Sequence, residues 1–353
     1  MTLRSLLLAL SVSLSLAWPA LAHAQSRPDW AIVIHGGAGV IERAQMDAAT
    51  EAAYRKAMAA ALAEGSRVLK AGGSSLDAVE ATIRQMEDDP LFNAGRGAVF
   101  TAEGRNELDA AIMDGATLKA GSVAGVTRTR NPISLARAVM DRSPHVMMAG
   151  AGAETFSRAQ GLEQVEPGWF FTERRWEALE KELKRLGLPM PTRPIGAPAP
   201  NKAVTERPPL DERKFGTVGV VALDARGNIA AGTSTGGTTA KRWGRVGDAP
   251  IIGAGTYADG KSCAVSATGT GEYFIRLTVA REICALVQYQ GVTLQQAADT
   301  VIQQRLTALG GDGGVIALTP DGQLAWSFNT SGMYRAKASS SQSGVVSIYR
   351  DEP

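Results

Sequence analysis

The stretch KFGTVGVVALDARGNIAAGTSTGG, residues 214–237, decides the fold prediction. Two apolar runs, TVGVVALD and NIAAGTST, flank the turn-like residues ARGN, and this spacing predicts two paired strands. The Pro-rich segment before them, residues 188–215, has no apolar periodicity and predicts a flexible linker. The strand pair therefore begins at Gly216-Thr217, where a loop-like segment stops.

Further strands and several helices are predicted on either side of this strand pair. Upstream, residues 30–34 read as an apolar strand that enters a Gly-rich turn, HGGAG, at 35–39. Further strands are predicted in ELDAAIMDG, LKAGSVAGV and SCAVSATG and in a closing hairpin of GGVIALT and LAWSFN. Helices are predicted over 47–70, 75–87, 137–148, 173–186, 272–289 and 293–309. This order predicts an α+β fold of stacked layers, with helices outside and sheets inside.

Composition and charge limit the classes of function. The chain has 353 residues, of which 44% are hydrophobic and 20% charged, as in an ordinary globular protein. Its net charge of +2 arises from 37 basic and 35 acidic residues that are interspersed along the chain. The sequence has no basic stripe for nucleic acid, and we expect a small-molecule or peptide partner.

The first 24 residues predict a cleavable secretory signal. Arg4 precedes an apolar run over 6–18, and the small-x-small pattern Ala22-His23-Ala24 places the cut after Ala24. An uncleaved membrane anchor is the alternative, but the run is shorter than the roughly 20 residues that span a bilayer. We therefore expect a periplasmic or secreted mature protein with no membrane segment.

Two cysteines, Cys263 and Cys284, are present. So small a number excludes a disulfide framework as the basis of the fold, although an oxidising compartment would allow a bond. We expect two buried free thiols, and the sequence leaves open whether they pair.

Two motifs suggest a serine hydrolase, but the histidines do not fit. Residues 232–236 match G-x-S-x-G, and HGGAG resembles the Gly-rich oxyanion turn of esterases. A triad of that type needs a histidine after Ser234, and the three histidines are His23, His35 and His145. Two mature histidines also make a poor catalytic zinc site. We therefore expect His35 to be a hydrogen-bonded turn residue and the general base to be another group.

A threonine at a chain N-terminus supplies its own base. Its α-amine, with a reference pKa of about 7.7 to 8.0, can take the hydroxyl proton near neutral pH. Such a terminus arises in mid-chain only when the preceding peptide bond breaks. Gly216 suits this position because glycine adopts strained conformations and leaves its carbonyl open to the hydroxyl of Thr217.

At this point the chain resembles a known family. The segments GTVGVVALDARGNIAAGTSTGG, HGGAG, PLFNAGRGAVF, ELDAAIMDG, GRVGDAPIIGAG and SATGTGE are similar to those of plant-type L-asparaginases and isoaspartyl peptidases. These are N-terminal-nucleophile hydrolases, and the resemblance covers nearly the whole mature chain except the Pro-rich segment. It implies a four-layer αββα sandwich, cleavage into an α chain of residues 25–216 and a β chain of residues 217–353 within one domain, and an (αβ)2 dimer.

The resemblance also implies roles for individual residues. Cleavage would fall between Gly216 and Thr217. Thr217 would be the nucleophile and Thr235 its hydrogen-bonding partner. Thr268 and Gly269 would form the oxyanion hole, and Gly269 would also contact substrate. Arg245 and Asp248 would bind the substrate head group, and Asn93 and Gly37 would line the site. An Arg-Asp pair suits the α-carboxylate and α-amine of an amino acid. The implied reactions are hydrolysis of L-asparagine and removal of β-aspartyl residues from isoaspartyl dipeptides, through a β-aspartyl enzyme.

No cofactor is implied for catalysis, but a structural sodium ion is. In the family, main-chain oxygens of a loop matching MEDDPLFNAGR bind it, which points here to Met86, Glu87, Asp89, Phe92, Ala94 and Arg96.

Two other functions stay open on the sequence. One is an N4-glycosylasparaginase of the same fold and nucleophile, and the other is an uncleaved, inactive protein that binds amino acids. The residues also do not rank L-asparagine against isoaspartyl dipeptides.

Overall fold

The computed structural model describes residues 27–199 and 216–353. The predicted signal peptide and residues 200–215 of the predicted linker lie outside this part. The described chain mixes helices and sheets, as the sequence predicts. Its strands are β1 (Ala31–Gly39), β2 (Leu108–Asp114), β3 (Ala120–Val126), β4 (Met147–Ala149), β5 (Val218–Leu223), β6 (Ile229–Thr235), β7 (Thr256–Ala258), β8 (Ala264–Gly269), β9 (Gly313–Leu318), β10 (Leu324–Phe328), β11 (Gly332–Ser339) and β12 (Val345–Tyr349).

Two sheets contain these strands. The large sheet has the order β12-β11-β1-β5-β6-β2-β3-β4, and the small sheet has the order β10-β9-β8-β7. Strands β5 and β6 pair antiparallel, from Val218 opposite Ser234 to Leu223 opposite Ile229, which confirms the predicted pair. Both strands are buried along their whole length. The Gly216-Thr217 step therefore opens a central strand of the large sheet.

Eight α-helices cover the sheets in the described residues. They are α1 (Ala48–Lys70), α2 (Ser75–Asp88), α3 (Pro132–Arg142), α4 (Gly150–Ala159), α5 (Glu173–Leu186), α6 (Gly271–Leu277), α7 (Val279–Ala285) and α8 (Leu294–Asp299). Helix α2 packs on β5 and β6, α7 packs on β8, α8 packs on β10, and β5 faces β8 across the two sheets. None of the helices in the described ranges is long and apolar enough to cross a membrane.

Local sequence signals explain where α1 and α2 begin. The Asp47 carboxylate accepts the Thr50 amide at the start of α1. At α2, Ser74 and Asp77 form a reciprocal capping box. Each cap satisfies amides that have no partner within the helix and contributes about 1 kcal/mol. These two predicted helices are confirmed to within one residue at each end.

Several predicted boundaries are wrong. The HGGAG segment is the second half of β1 and not a turn, because it pairs with β11 through a bulge between His35 and Gly37. Helix α3 begins at Pro132, where proline's fixed φ suits a first turn, and the 137–148 prediction overran it into β4. The predicted 272–289 helix is divided at Thr278, whose φ of 48° interrupts it. The hairpin of β9 and β10 does not close the fold, since β11 and β12 follow.

The cysteine prediction is also wrong. Cys263 and Cys284 form a disulfide with Cα atoms 5.3 Å apart. Cys263 lies just before β8, and Cys284 lies in α7, which packs on β8. This proximity comes from tertiary packing, so residue counting could not reveal it.

Residues 188–199, the first part of the predicted linker, lie against α5. The Arg193 guanidinium donates to both carboxylate oxygens of Glu173 and lies over the ring of Trp176, 5.7 Å from its centroid. The Ile195 carbonyl accepts the Gly168 amide at 2.9 Å. The chain therefore stays packed against the fold beyond residue 188, where its composition predicts a flexible linker.

Candidate active site

One cavity lies where β5, β6 and β8 approach one another, and most of the predicted site residues line it. Seven of the predicted residues line it: Gly216, Thr217, Thr235, Arg245, Asp248, Thr268 and Gly269. Asn93 and Gly37 lie directly behind it, against Gly216. Positions far apart in the chain thus meet around a single threonine.

Three groups around Thr217 form a hydrogen-bond chain. The Thr217 hydroxyl donates to Thr235 Oγ1 over 3.1 Å, and Thr235 Oγ1 donates to the Gly216 carbonyl over 3.1 Å. Thr235 Oγ1 also accepts the amide of Gly237 at 3.0 Å, which orients it. A proton leaving Thr217 therefore has a defined path toward the oxygen of the preceding peptide bond.

The Gly216 carbonyl has a second donor in Asn93. Asn93 Nδ2 donates to this carbonyl at 2.9 Å and to the Gly237 carbonyl at 2.8 Å. The Val99 amide donates to Asn93 Oδ1 at 2.9 Å, which fixes the orientation of the side-chain amide. Two donors on one carbonyl oxygen are the arrangement that stabilises a tetrahedral oxyanion.

Only glycine fits at position 216. Its φ is 125°, and a Cβ there would stand 2.1 Å from the Asn93 Cβ. Gly37 is similarly constrained, because its own Cβ would stand 3.1 Å from the Gly216 Cα. Close backbone packing thus presents the peptide bond before Thr217 to Asn93 and Thr235.

Opposite charges lie at the other end of the cavity. Arg245 Nε and Nη2 donate to the two Glu272 carboxylate oxygens at 2.9 and 3.0 Å. Asp248 is buried, and its Oδ2 has no hydrogen-bond partner among the described residues. Burial raises the pKa of Asp248 to about 7, and the Arg245 charge opposes that rise. Within the described residues, Arg245 is paired with Glu272 and does not neutralise Asp248 by a salt bridge.

Thr268 and Gly269 end strand β8 at the cavity wall. Thr268 Oγ1 accepts the Ala38 amide at 3.4 Å. A Cβ on Gly269 would stand 2.4 Å from the Asp312 carbonyl oxygen, so only glycine fits there. Both residues line the same cavity as Thr217, Arg245 and Asp248.

His35 is buried beneath the site. Its Nδ1 lies 3.1 Å from the Thr217 carbonyl oxygen and its Nε2 lies 3.0 Å from Ser266 Oγ. Burial lowers the pKa of His35 to about 3. The expected hydrogen-bonded role is observed, although in a strand and not in a turn. His145 is exposed before β4, and no metal-binding group of histidine, cysteine and acidic residues occurs in the described part of the chain.

Ser234 faces away from the cavity. Successive side chains of a strand alternate between faces, so Ser234 points toward α2 while Thr233 and Thr235 point toward the small sheet. Its hydroxyl donates to the buried Glu87 carboxylate at 2.6 Å. The G-x-S-x-G match is therefore a core feature.

Sequence reasoning missed two charged groups near the cavity. Glu272, which pairs with Arg245, lies within the quoted segment SATGTGE but has no local signal for that contact. Lys241 is buried behind Gly237, where its Nζ donates to the Glu107 carbonyl at 2.8 Å and lies 4.0 Å from Asp109 Oδ2. A lysine in a loop normally faces solvent, so only the fold reveals this buried pair.

Known proteins similar to this chain match most of its length. The family model described as "Asparaginase" matches residues 28–348. An isoaspartyl peptidase of Escherichia coli is 50% identical over 322 residues, covering 91% of this chain and 96% of that protein. A probable isoaspartyl peptidase/L-asparaginase 2 of Arabidopsis thaliana is 42% identical over 91% of this chain and 99% of that protein. A plant-type L-asparaginase of Thermococcus kodakarensis is 41% identical, with 86% and 94% covered.

The matched motifs run from β1 to the last strand and include both sides of the cavity. The resemblance found in the sequence is confirmed, and the chain is a hydrolase that belongs to the asparaginase family.

Proposed function

We propose that this protein is an isoaspartyl peptidase and L-asparaginase whose nucleophile is Thr217. One observation carries the proposal: the Thr217 hydroxyl is hydrogen-bonded through Thr235 to the carbonyl of the peptide bond before it. The same cavity contains Arg245 and Asp248, which suit the charged ends of an amino acid. The names and coverage of the relatives support this choice of substrates.

The first step in this proposal is self-cleavage. Thr217 Oγ1 attacks the Gly216 carbonyl carbon and its proton passes to Thr235, whose own proton passes to the carbonyl oxygen. Asn93 stabilises the tetrahedral intermediate through the 2.9 Å hydrogen bond. The C–N bond then breaks as the proton on that oxygen moves, through Thr235, to the Thr217 nitrogen, which restores the carbonyl and leaves an ester. Water hydrolyses the ester and yields the Gly216 carboxylate and a free amine on Thr217.

Turnover then uses the new amine as general base. It takes the Thr217 hydroxyl proton while the oxygen attacks the side-chain amide of asparagine or the β-linkage of an isoaspartyl peptide. Arg245 would leave Glu272 to bind the α-carboxylate, and Asp248 would bind the α-ammonium. Thr268 and Gly269 would stabilise the oxyanion. The protonated amine donates to the departing nitrogen, and water releases aspartate from the β-aspartyl enzyme.

A substrate comparison tests this function. Purified enzyme is assayed with L-asparagine, with β-aspartyl dipeptides and with N4-glycosyl-asparagine, by measuring released aspartate. Hydrolysis of the first two supports the proposal. Hydrolysis of the glycosyl substrate alone would identify a glycosylasparaginase, and binding without release of aspartate would identify an inactive amino-acid-binding protein.

The same proposal includes the finer architecture and a sodium ion. The helix and sheet contacts fit a four-layer αββα sandwich, with α2 on the large sheet and α7 on the small one. In the loop of residues 86–96, the Arg96 amide donates to the Glu87 carbonyl at 2.6 Å, which brings the loop back to the end of α2. Gly95 (φ 48°) and Gly97 (φ 101°) provide the turns. Hard oxygen donors suit sodium. The proposed ligands are the main-chain oxygens of Met86, Glu87, Asp89, Phe92, Ala94 and Arg96. A melting temperature raised by sodium chloride over choline chloride would support this site.

Export and dimerisation complete the proposal. The disulfide between Cys263 and Cys284 supports an oxidising compartment, in agreement with the predicted signal peptide and a periplasmic or secreted enzyme. Fractionation of cells tests the location. We further propose an (αβ)2 dimer, which light scattering coupled to size-exclusion chromatography tests.

A further inference from the structure

A line of buried polar side chains begins at the Thr217 carbonyl and passes between the two sheets. His35 Nδ1 contacts that carbonyl at 3.1 Å, and His35 Nε2 contacts Ser266 Oγ at 3.0 Å. Ser266 Oγ lies 2.7 Å from Thr233 Oγ1, which receives the Thr256 hydroxyl at 2.6 Å. All four side chains belong to fully buried residues. We call His35, Ser266, Thr233 and Thr256 the buried relay.

The carbonyl of Thr217 fixes the direction of the hydrogen bonds at both ring nitrogens of His35. A carbonyl oxygen only accepts, so His35 Nδ1 carries the proton. Burial lowers the pKa of His35 to about 3, so near neutral pH Nε2 has no proton and accepts from Ser266. Ser266 has then used its proton and can only accept from Thr233 at 2.7 Å, a shorter contact than the 3.2 Å from Thr233 Oγ1 to the Gly255 carbonyl. Thr233 in turn accepts from Thr256. One end of the relay thus determines the tautomer of the imidazole.

The relay lies directly beneath the candidate active site. Residues two apart on a strand share a face. On β6, Thr233 stands below Thr235, and on β8, Ser266 stands below Thr268. The strands that carry the partner threonine and the oxyanion-hole threonine are therefore tied together one step below the chemistry.

Backbone packing reserves the space for this contact. Gly219, which pairs with His35 in the sheet, has no room for a side chain. A Cβ there would stand 1.9 Å from Ser266 Oγ and 2.2 Å from His35 Nε2. A glycine in a buried central strand is less favourable than alanine because it loses more backbone entropy, and here it leaves room for the His35–Ser266 bond.

We propose that His35 is a positioning residue that holds the Thr217 backbone as the neutral Nδ1–H tautomer, and that the Ser266 hydroxyl stabilises this tautomer by donating to Nε2. The proposal rests on Thr217 being the nucleophile. The other tautomer would place a lone pair on Nδ1 against the Thr217 carbonyl. The carbonyl would then turn away, and the attack geometry of the hydroxyl on the same residue would be lost.

The first test reads the tautomer without changing the relay. Protein with 15N-labelled histidine is examined by two-dimensional NMR near pH 7, and a His23→Gln/His145→Gln variant removes the signals of the other two imidazoles. We expect a neutral Nδ1–H pattern for the remaining buried imidazole. An Nε2–H or doubly protonated pattern would overturn the proposal. This readout does not depend on activity, so it separates failure of the relay from failure of the proposed function.

The second test removes the Ser266 hydroxyl that donates to His35 Nε2. Ser266→Ala is compared with Ser266→Thr, which keeps the hydroxyl. An unsatisfied buried group or a flipped tautomer should lower kcat about tenfold in the alanine variant, with KM within about twofold. The threonine variant should retain most of kcat and the wild-type tautomer. Equal kcat and an unchanged tautomer in both variants would overturn the proposal.

A second matched pair covers the case in which Ser266 variants fail to fold. Thr233→Val keeps the shape and loses the hydroxyl, whereas Thr233→Ser loses a methyl group and keeps the hydroxyl. A lower kcat in the valine variant than in the serine variant, at similar melting temperatures, supports the relay. The reverse order contradicts it.

Discussion

The nucleophile end and the head-group end of the cavity are built in different ways. At the first end, Thr217, Thr235 and Asn93 are neutral and hydrogen-bonded to one another or to the Gly216 and Gly237 carbonyls. At the second end, Asp248 has an oxygen without a partner in the described chain, and Arg245 pairs with Glu272, whose side chain is 56% exposed. The nucleophile end is thus organised before substrate binds, while the head-group end is completed by the charges of its substrate.

Removing the nucleophile should abolish the chemistry at the nucleophile end. Thr217→Ala retains the backbone but has no hydroxyl to attack either the Gly216 carbonyl or a substrate. We expect activity toward β-aspartyl dipeptides to fall at least about a thousandfold, measured as released aspartate. Thr217→Ser keeps a hydroxyl and should retain detectable activity. An alanine variant with wild-type turnover would show that another residue is the nucleophile.

Removing the negative charge of Asp248 at the head-group end should weaken substrate binding. Asp248→Asn keeps the shape but leaves the substrate ammonium without its anion, so kcat/KM should fall roughly 100-fold, mainly through KM. Steady-state kinetics with L-asparagine measure the split. A fall confined to kcat would place Asp248 in the chemistry and would erase the contrast between the two ends.

The charge of Asp248 should also set the acid limb of the pH profile. Its pKa is raised to about 7 by burial, with Arg245 lowering it and Glu272 and Asp109 raising it further. A protonated carboxyl does not attract an ammonium group, so kcat/KM should rise with pH up to about 7. Below that value it should fall about tenfold per pH unit. A profile that stays flat from pH 5 to 7 would contradict this assignment.

The disulfide offers a perturbation away from both ends. Cys263 and Cys284 close a loop with a sequence separation of 21, and opening such a loop costs about 3 kcal/mol. The double Cys263→Ala/Cys284→Ala variant should melt roughly 5 to 10 °C lower, by calorimetry, than the oxidised protein. KM for L-asparagine should not change. A large change in KM would mean that the disulfide also shapes the head-group end of the cavity.

Releasing Arg245 should have the smallest effect. In Glu272→Gln the guanidinium loses its competing anion, so KM for L-asparagine should fall by up to about fivefold, as expected for a partly exposed ion pair. Glu272→Asp, which keeps the charge, is the matched control. An increase in KM for the glutamine variant alone would show that Glu272 positions Arg245 for substrate.

Elements with strong local signals were predictable from the sequence. The alternating runs around ARGN predict β5 and β6, and the helical spacing over 47–70 and 75–87 predicts α1 and α2. The absence of a histidine after Ser234 correctly removed the serine-hydrolase reading, since Ser234 faces Glu87 in the core. In each case the information is local in the chain.

What the sequence missed depends on contacts between distant segments. HGGAG looks like a turn because it is rich in glycine, yet pairing with β11 makes it a strand. The disulfide, the Arg245–Glu272 pair and the His35–Ser266 contact each join elements that have no local signal for one another. The candidate site was therefore predictable as a set of residues through the family resemblance, but its hydrogen-bond order was not.

The central claim is that Thr217 becomes a chain N-terminus by breaking the bond to Gly216. Denaturing electrophoresis of the purified protein, followed by N-terminal sequencing of the smaller fragment, tests it most directly. The account predicts two chains, with the smaller beginning Thr217-Val218-Gly219. A single intact chain in an active preparation, or a smaller fragment that begins at any other residue, would contradict it.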